Sequence, residues 1–217
     1  EGKQGAEFEA AAIAYIKRTL ADHQRIIFNG NGYGEDWVQE AQRRGLSNLR
    51  DTVDCMPAYI DPKNIRLFAG HNILSETEMR ARYEIHLENY CKVTAIEAST
   101  LRDMVLRGIL PAVNRYTADL TQAILHKREL VVPCRVEEDL LQKLSALTGS
   151  LYDTMAAINE AMDKAPDAEG GIDAARYYRE EIVRRMEEAR QSIDQLESLT
   201  AAKYWPYPTY ADILFSV

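Results

Sequence analysis

Residues 136–162 read VEEDLLQKLSALTGSLYDTMAAINEAM. Val136, Leu140, Leu144, Leu147, Leu151, Met155, Ile158 and Met162 follow one another at helical spacing, which lays one apolar stripe along an α-helix. Lys164 to Gly171, KAPDAEGG, carries a proline and paired glycines that no helix continues through. Past that hinge loop Ala175, Tyr178, Ile182, Met186, Ala189, Ile193, Leu196 and Leu199 repeat the stripe. Two striped helices joined by a short loop cover each other when they run antiparallel, and Ile96 to His126 supplies a third. The chain is therefore read as mainly α: a bundle of three long antiparallel helices, its Met and Leu stripes forming core and not a cofactor box.

Working toward the N-terminus, Val131-Val132-Pro133-Cys134 reads as a connector. Before it, Val113, Tyr116, Leu120 and Ile124 keep helical spacing, and so do Met79, Tyr83, Leu87, Tyr90, Val93, Leu101 and Met104. Gly108 and Pro111 interrupt this run, and a kink or break is expected between Arg107 and Leu110, because proline removes an internal hydrogen bond and crowds the preceding turn. The start of the run is marked by Ser75-Glu76-Thr77-Glu78, where Ser75 caps the Glu78 N–H, the Glu78 carboxylate reaches back, and Leu74 and Met79 are spaced as a hydrophobic staple.

The first 74 residues read as shorter helices around an irregular Gly/Asn-rich loop. Phe8, Ala12, Tyr15, Ile16 and Leu20 give a helix from Gly5 to about Asp22 one apolar face, and Arg25 to Phe28 reads as a short extended piece. Asn29-Gly30-Asn31-Gly32-Tyr33-Gly34 is a run that tolerates positive φ, followed by a helix that buries Trp37, Val38 and Ala41 and ends at Gly45. A compact turn is the plain reading. Asn29, Gly30, Asn31 and Gly32 are the candidates for an anion site at the helix start, a reading that lacks the strand and the Gly-Lys-Ser/Thr ending of nucleotide loops. Asp61-Pro62 opens a further short helix that stops near Gly70.

At the other end Lys203-Tyr204-Trp205-Pro206-Tyr207-Pro208-Thr209-Tyr210 cannot be helical through its prolines. Such an aromatic segment either staples its own bundle or docks on another domain or subunit, and Trp205, Tyr207, Tyr210 and Phe215 are the candidate interface residues.

Four blocks in order, IIFNGNGYGEDWVQEAQRRGLSNLRDT (26–52), LSETEMRARYEIHLENYCK (74–92), IEASTLRDMVLRGILPAV (96–113) and KYWPYPTYADILF (203–215), resemble the C-terminal part of type III glutamine synthetases. The resemblance spans roughly Phe8 to Phe215 and lies after the catalytic core, so the family's ATP-, metal- and glutamate-binding motifs have no counterpart in these residues. For the parent protein it implies an ATP-dependent glutamate–ammonia ligase that phosphorylates the glutamate side-chain carboxyl and lets ammonia displace the phosphate, with Mg or Mn stabilising the phosphoryl charge. For this chain it implies a noncatalytic region, without cofactor or metal, that buttresses the catalytic core or contributes contacts in a large homo-oligomer. Its partners are then the upstream catalytic domain and neighbouring subunits. The start at Glu1, without Met, is expected of a piece cut near a domain border. Residues 1–74 are assigned to the end of, or a linker from, the catalytic domain, and residues 75–217 to the helical bundle with its aromatic tail.

Composition narrows the other choices. The chain of 217 residues is 46% hydrophobic and 28% charged, with a net charge of −8, so phosphate backbones are repelled and nucleic acid is a poor partner. Arg43-Arg44 and Arg184-Arg185 alternate with acids as solvated helix faces do. No apolar run approaches the ~20 residues that cross a bilayer and no signal peptide is visible, so a cytoplasmic protein is expected. Cys55, Cys91 and Cys134 are too scattered for a disulfide framework and read as small buried hydrophobes. His23, His71, His86 and His126 form no HxxxH pair, Glu84 and Glu88 with Glu97 nearby read as a solvated face, and no GxSxG elbow exists, so no catalytic residue is assigned. Two other classes stay open: a free-standing helical interaction or sensory module, and an anion- or nucleotide-binding effector domain.

Overall fold

A computed structural model describes residues 4–215, with Tyr210 described by its backbone alone. The described residues are helical and contain no strand. Packing divides the chain into two compact units, Glu1–Asp51 and Thr52–Val217.

In the first unit α1 (Gly5–Asp22) has the expected apolar face, but no residue of the helix is buried; Phe8, Tyr15, Ile16 and Leu20 are each more than half exposed. The extended piece expected over Arg25–Phe28 is instead a single tight turn, Gln24–Ile26, followed by Ile27 at φ −96°, ψ 125°. Among the described residues no strand is there to pair with it. Helix α2 (Glu35–Arg43) places Glu35 and Asp36 in its first turn, where the helix dipole favours negative charge, and buries Ala41. Gly45 ends it at φ +68°: its N–H donates to the Gln42 carbonyl at 3.0 Å and the Leu46 N–H to the Ala41 carbonyl at 2.9 Å. Glycine adopts that left-handed backbone without strain.

The second unit opens with a helix not anticipated from the sequence, α3 (Thr52–Tyr59), which buries Val53 and Met56 despite Pro57. Cys55 on it is exposed, unlike buried Cys91 and Cys134, so the expectation that all three are buried fails for the one on a short helix with an open face. Helix α4 (Pro62–Gly70) starts as expected, the Asp61 carboxylate accepting from the Lys63 N–H at 2.8 Å. Helix α5 (Glu76–Met104) has both halves of its capping box: the Ser75 N–H donates to the Glu78 carboxylate at 2.8 Å and the Glu78 N–H to the Ser75 hydroxyl at 3.3 Å. These bonds also hold the Glu78 carboxyl below its usual pKa, the backbone bond most.

Between α5 and α6 (Leu110–Glu129) the expected break is a widened turn, Val105–Ile109, whose Leu110 N–H reaches five residues back to Val105. Spacing explains it. Leu101, Val105, Ile109 and Val113 all face the core at steps of four, and at ~100° per residue these three steps overshoot whole turns by ~120°, about one residue's worth. A π-type turn absorbs the surplus and keeps the stripe on one side. The same device, Tyr178–Val183, joins α8 (Gly171–Tyr177) to α9 (Arg184–Leu199), under Tyr178, Ile182 and Met186.

Helix α7 (Arg135–Asp163) packs on α6 and on α9, while α5 packs on α8 and α3. The antiparallel register of α5–α6 against α7 is marked by Lys127–Glu137 at 2.5 Å and Arg128–Glu138 at 2.7 Å near one end and by Arg102–Asn159 at 3.5 Å toward the other. Three long antiparallel helical rods therefore make the bundle, as the stripes require. Leu87, Val113, Leu144, Leu151, Met155, Ile158, Ile182 and Leu196 are at most 1% exposed, and each contributes about 1.5–3 kcal/mol by leaving water. Val136 departs from the expected stripe at 74% exposure, because the register sets it level with the charged end of α6 and its ion pairs.

Candidate functional site

The aromatic tail starts where Thr200 turns extended (φ −84°, ψ 130°) and ends α9. The chain then folds back over its own unit. The Tyr204 ring lies 5.2 Å from that of Tyr116, its hydroxyl donates to the Asp119 carboxylate, and the Lys203 ammonium sits 4.7 Å above it. Trp205 and Tyr207 pack against the core cluster. The Tyr207 hydroxyl donates to the Met104 carbonyl at 3.3 Å, and a Cβ at Gly108 would stand 2.5 Å from that hydroxyl oxygen. Gly108 is thus the floor on which the strap rests, within the widened turn between α5 and α6.

Past the strap, α10 (Tyr210–Leu214) is started by a second capping box. The Thr209 N–H and hydroxyl both donate to Asp212, at 2.8 and 2.7 Å, and these bonds, the hydroxyl's first, hold the Asp212 carboxyl below its usual range. Ile213, Leu214 and Phe215 are 64, 71 and 77% exposed. Of the candidate interface residues, then, Trp205 and Tyr207 face the bundle and Phe215 faces solvent; the Tyr210 side chain lies outside the described residues. Under the strap is a cleft of about 300 Å³ between α5, α9 and α10.

In the first unit, the Gly/Asn loop is closed by local bonds. Asn31 accepts from the Tyr33 N–H through its side chain at 3.0 Å and from the Gly34 N–H through its carbonyl at 3.1 Å. The Phe28 ring lies 4.7 Å from that of Trp37, tilted by 37°, and folds under Gly30, where a Cβ would meet it at 2.4 Å. Arg44 clamps the approach: its guanidinium donates to the carbonyls of Gln24, Arg25 and Ile27, and its Nε to Glu40 at 2.5 Å. Hydrogen bonds from Arg43 and then Arg44 pull the Glu40 carboxyl down to about 2. Of the anion candidates only Asn29 lines the open cleft in this unit, with Lys17 and Arg44; Gly30, Asn31 and Gly32 do not.

Of the other residues weighed for chemistry, Glu88 pairs with Lys92 and Glu84 lies in a shallow surface depression beside Arg80. His86 and Glu97 line one cleft of about 460 Å³ between α3 and α5 but stand about 16 Å apart along α5, and the Tyr59 ring stands edge-on 6.2 Å from that of His86. Without α3 this cleft is not legible in the sequence; the helical spacing of Val53 and Met56 is the available signal. Among the described residues no three His, Cys, Asp or Glu side chains converge as a metal site requires.

These features define an all-helical bundle domain with a self-anchored aromatic strap. The chain belongs to the glutamine synthetase C-terminal domain family, whose model matches residues 11–128. The resemblance carried by the four sequence blocks is borne out. A glutamine synthetase of Butyrivibrio fibrisolvens is 36% identical over 215 residues, 98% of this chain and 31% of that protein. The type-3 glutamine synthetase of Dictyostelium discoideum is 32% identical over 210 residues, 92% of this chain and 28% of that protein. For a glutamine synthetase of Bacteroides fragilis (strain YCH46) the identity is 28% over 220 residues, 99% of this chain and 30% of that protein. The chain thus spans about a third of the length of the curated relatives it matches. No helix among the described residues is long and apolar enough to cross a membrane.

Proposed function

We propose that this chain is the noncatalytic C-terminal region of a cytoplasmic, ATP- and metal-dependent glutamate–ammonia ligase, and that it docks the tail's apolar end onto the catalytic part or a neighbouring subunit. Family membership supports the ligase. The observation that carries the docking role is the division of the tail: Trp205 and Tyr207 hold it to its own bundle, while Ile213, Leu214 and Phe215 stand exposed beyond the strap. An apolar end held out from a fixed strap is suited to a partner surface. The first unit, within the 1–74 stretch, is assigned in this proposal to the catalytic side of the parent.

Glutamine formation from glutamate, ammonia and ATP with magnesium or manganese tests the ligase reading, comparing the full-length protein with this chain. The expected result is activity in the full-length protein and none in the chain. Replacing Ile213, Leu214 and Phe215 by serine in the full-length protein is expected to reduce its mass by light scattering or its activity. A full-length protein that makes no glutamine overturns the ligase; an unchanged mass and rate in the triple variant overturns the docking role.

A further inference from the structure

The cleft between α3 and α5, about 460 Å³, holds polar side chains that the packing of the bundle leaves unused. Along α5 it runs from His86 past Asn89 and Val93 to Thr94 and Glu97, with Met56 of α3 across from them. Thr94 is only 3% exposed. Thr100, Thr121, Thr148 and Thr154 return their hydroxyls to the carbonyl four residues back, whereas the Thr94 hydroxyl has no hydrogen-bond partner among the described residues. A hydroxyl so withdrawn from solvent and open to a cleft is satisfied from the cleft side. One turn on, Glu97 is exposed and makes no ion pair among the described residues. Positions i and i+3 of a helix stand about 5–6 Å apart, so one ammonium reaches the Glu97 carboxylate and the Thr94 hydroxyl together. The net charge of −8 also favours an approaching cation.

Two turns back, Asn89 is exposed, and its side-chain amide both donates and accepts, as pairing with a peptide unit requires. Val93 lies between Asn89 and Glu97, which stand about 12 Å apart along the helix. A lysine stem of about 6 Å, with a hydrogen bond of about 3 Å at either end, covers that span.

We propose that this cleft seats a lysine from an extended segment of a partner protein: its ammonium at Glu97 and Thr94, its stem on Val93 and Met56, its backbone amide at Asn89. The site is separate from the tail's apolar end, and the inference does not depend on the ligase reading.

The test titrates the ¹⁵N-labelled chain with acetyl-Ala-Lys-Ala-amide and, separately, with the same peptide carrying norleucine, which keeps the stem and lacks the ammonium. Expected are saturable amide shifts centred on Asn89 to Glu97 with the lysine peptide in the millimolar range or below, and affinity at least about tenfold weaker for norleucine. Glu97→Gln, at an exposed position, is expected to abolish that preference. Thr94→Val is expected to weaken the lysine peptide several-fold while Tm holds or rises, because an unpartnered hydroxyl contributes nothing to the fold. No saturable shift at these residues, equal affinity for both peptides, a lysine preference that survives Glu97→Gln, or an unchanged affinity in Thr94→Val overturns the proposal. The two peptides decide on the unaltered chain even if a variant does not fold.

Discussion

Gly108→Ala is the sharpest test of how the strap is held. In a helix interior the exchange alone favours folding by about 1 kcal/mol, because glycine surrenders more backbone freedom. At this position the new methyl stands 2.5 Å from the Tyr207 hydroxyl oxygen, 3.0 Å from Cζ and 3.2 Å from Cε2. The ring must lift by about 1 Å to restore ordinary contact, which breaks the 3.3 Å bond to the Met104 carbonyl and thins the packing beneath the ring. The bond is worth about 0.5–1.5 kcal/mol and the lost packing a similar amount, so the two effects leave Gly108→Ala neutral to about 2 kcal/mol destabilising. In a Tyr207→Ala background the obstruction is gone, and the same exchange is expected to stabilise by about 1 kcal/mol. Urea unfolding of the four variants, followed by Trp205 emission with Trp37→Phe throughout, measures the difference. If Gly108→Ala stabilises equally in both backgrounds, Tyr207 does not rest on Gly108 and the strap is seated elsewhere.

Other expectations follow from single contacts. Ser75→Ala removes one side of the α5 capping box and is expected to cost about 1 kcal/mol in urea unfolding; no loss would mean the cap is not formed in solution. Val131 carries φ +56° after α6 while 90% exposed, so Val131→Asn relieves strain with little packing to lose, and a rise of about 0.5–1 kcal/mol is expected. A loss would place that turn in another conformation. Glu40, held at about 2 against an ordinary value of 4.5, stabilises the first unit fully above pH 4.5 and progressively less as acid protonates it toward pH 2. With Trp205→Phe leaving Trp37 as reporter, emission is expected to shift through that window and Glu40→Gln to flatten the shift; an identical acid response in Glu40→Gln would refute the clamp.

The bundle was legible because its stripes are long: α7 and α9 each bury one face through several turns, and periodicity over such a length admits few alternatives. Caps at Ser75 and Asp61 and the stop at Gly45 were legible because each rests on a local bond or a local φ. What escaped was short or depended on distant chain. Helix α3 is eight residues long with a proline inside, and its packing on α5 and α8 gives it reason to form. Nothing in the stripe told Val136 apart from Leu144; the register against α6 did. The strap's direction was undecided because Tyr207 needs Gly108, about a hundred positions earlier in the chain, to reveal its seat. The face of α1 was read correctly, but periodicity names a face and not what covers it.

The two widened turns bear on how chains of this family are to be compared. A π-type turn is an α-helix carrying one residue too many, and the helix on either side keeps the phase it would have had without it. A one-residue gap inside Val105–Ile109 or Tyr178–Val183 would therefore return the local backbone to α while Val113, Leu120, Ala189, Ile193 and Leu196 kept their inward direction. Two relatives differing in length by that one residue would superpose on both sides of the gap. At the first of the two places the difference would fall on the strap's floor, and an aligner that moved the gap a few positions into α6 would wrongly pair inward residues with outward ones.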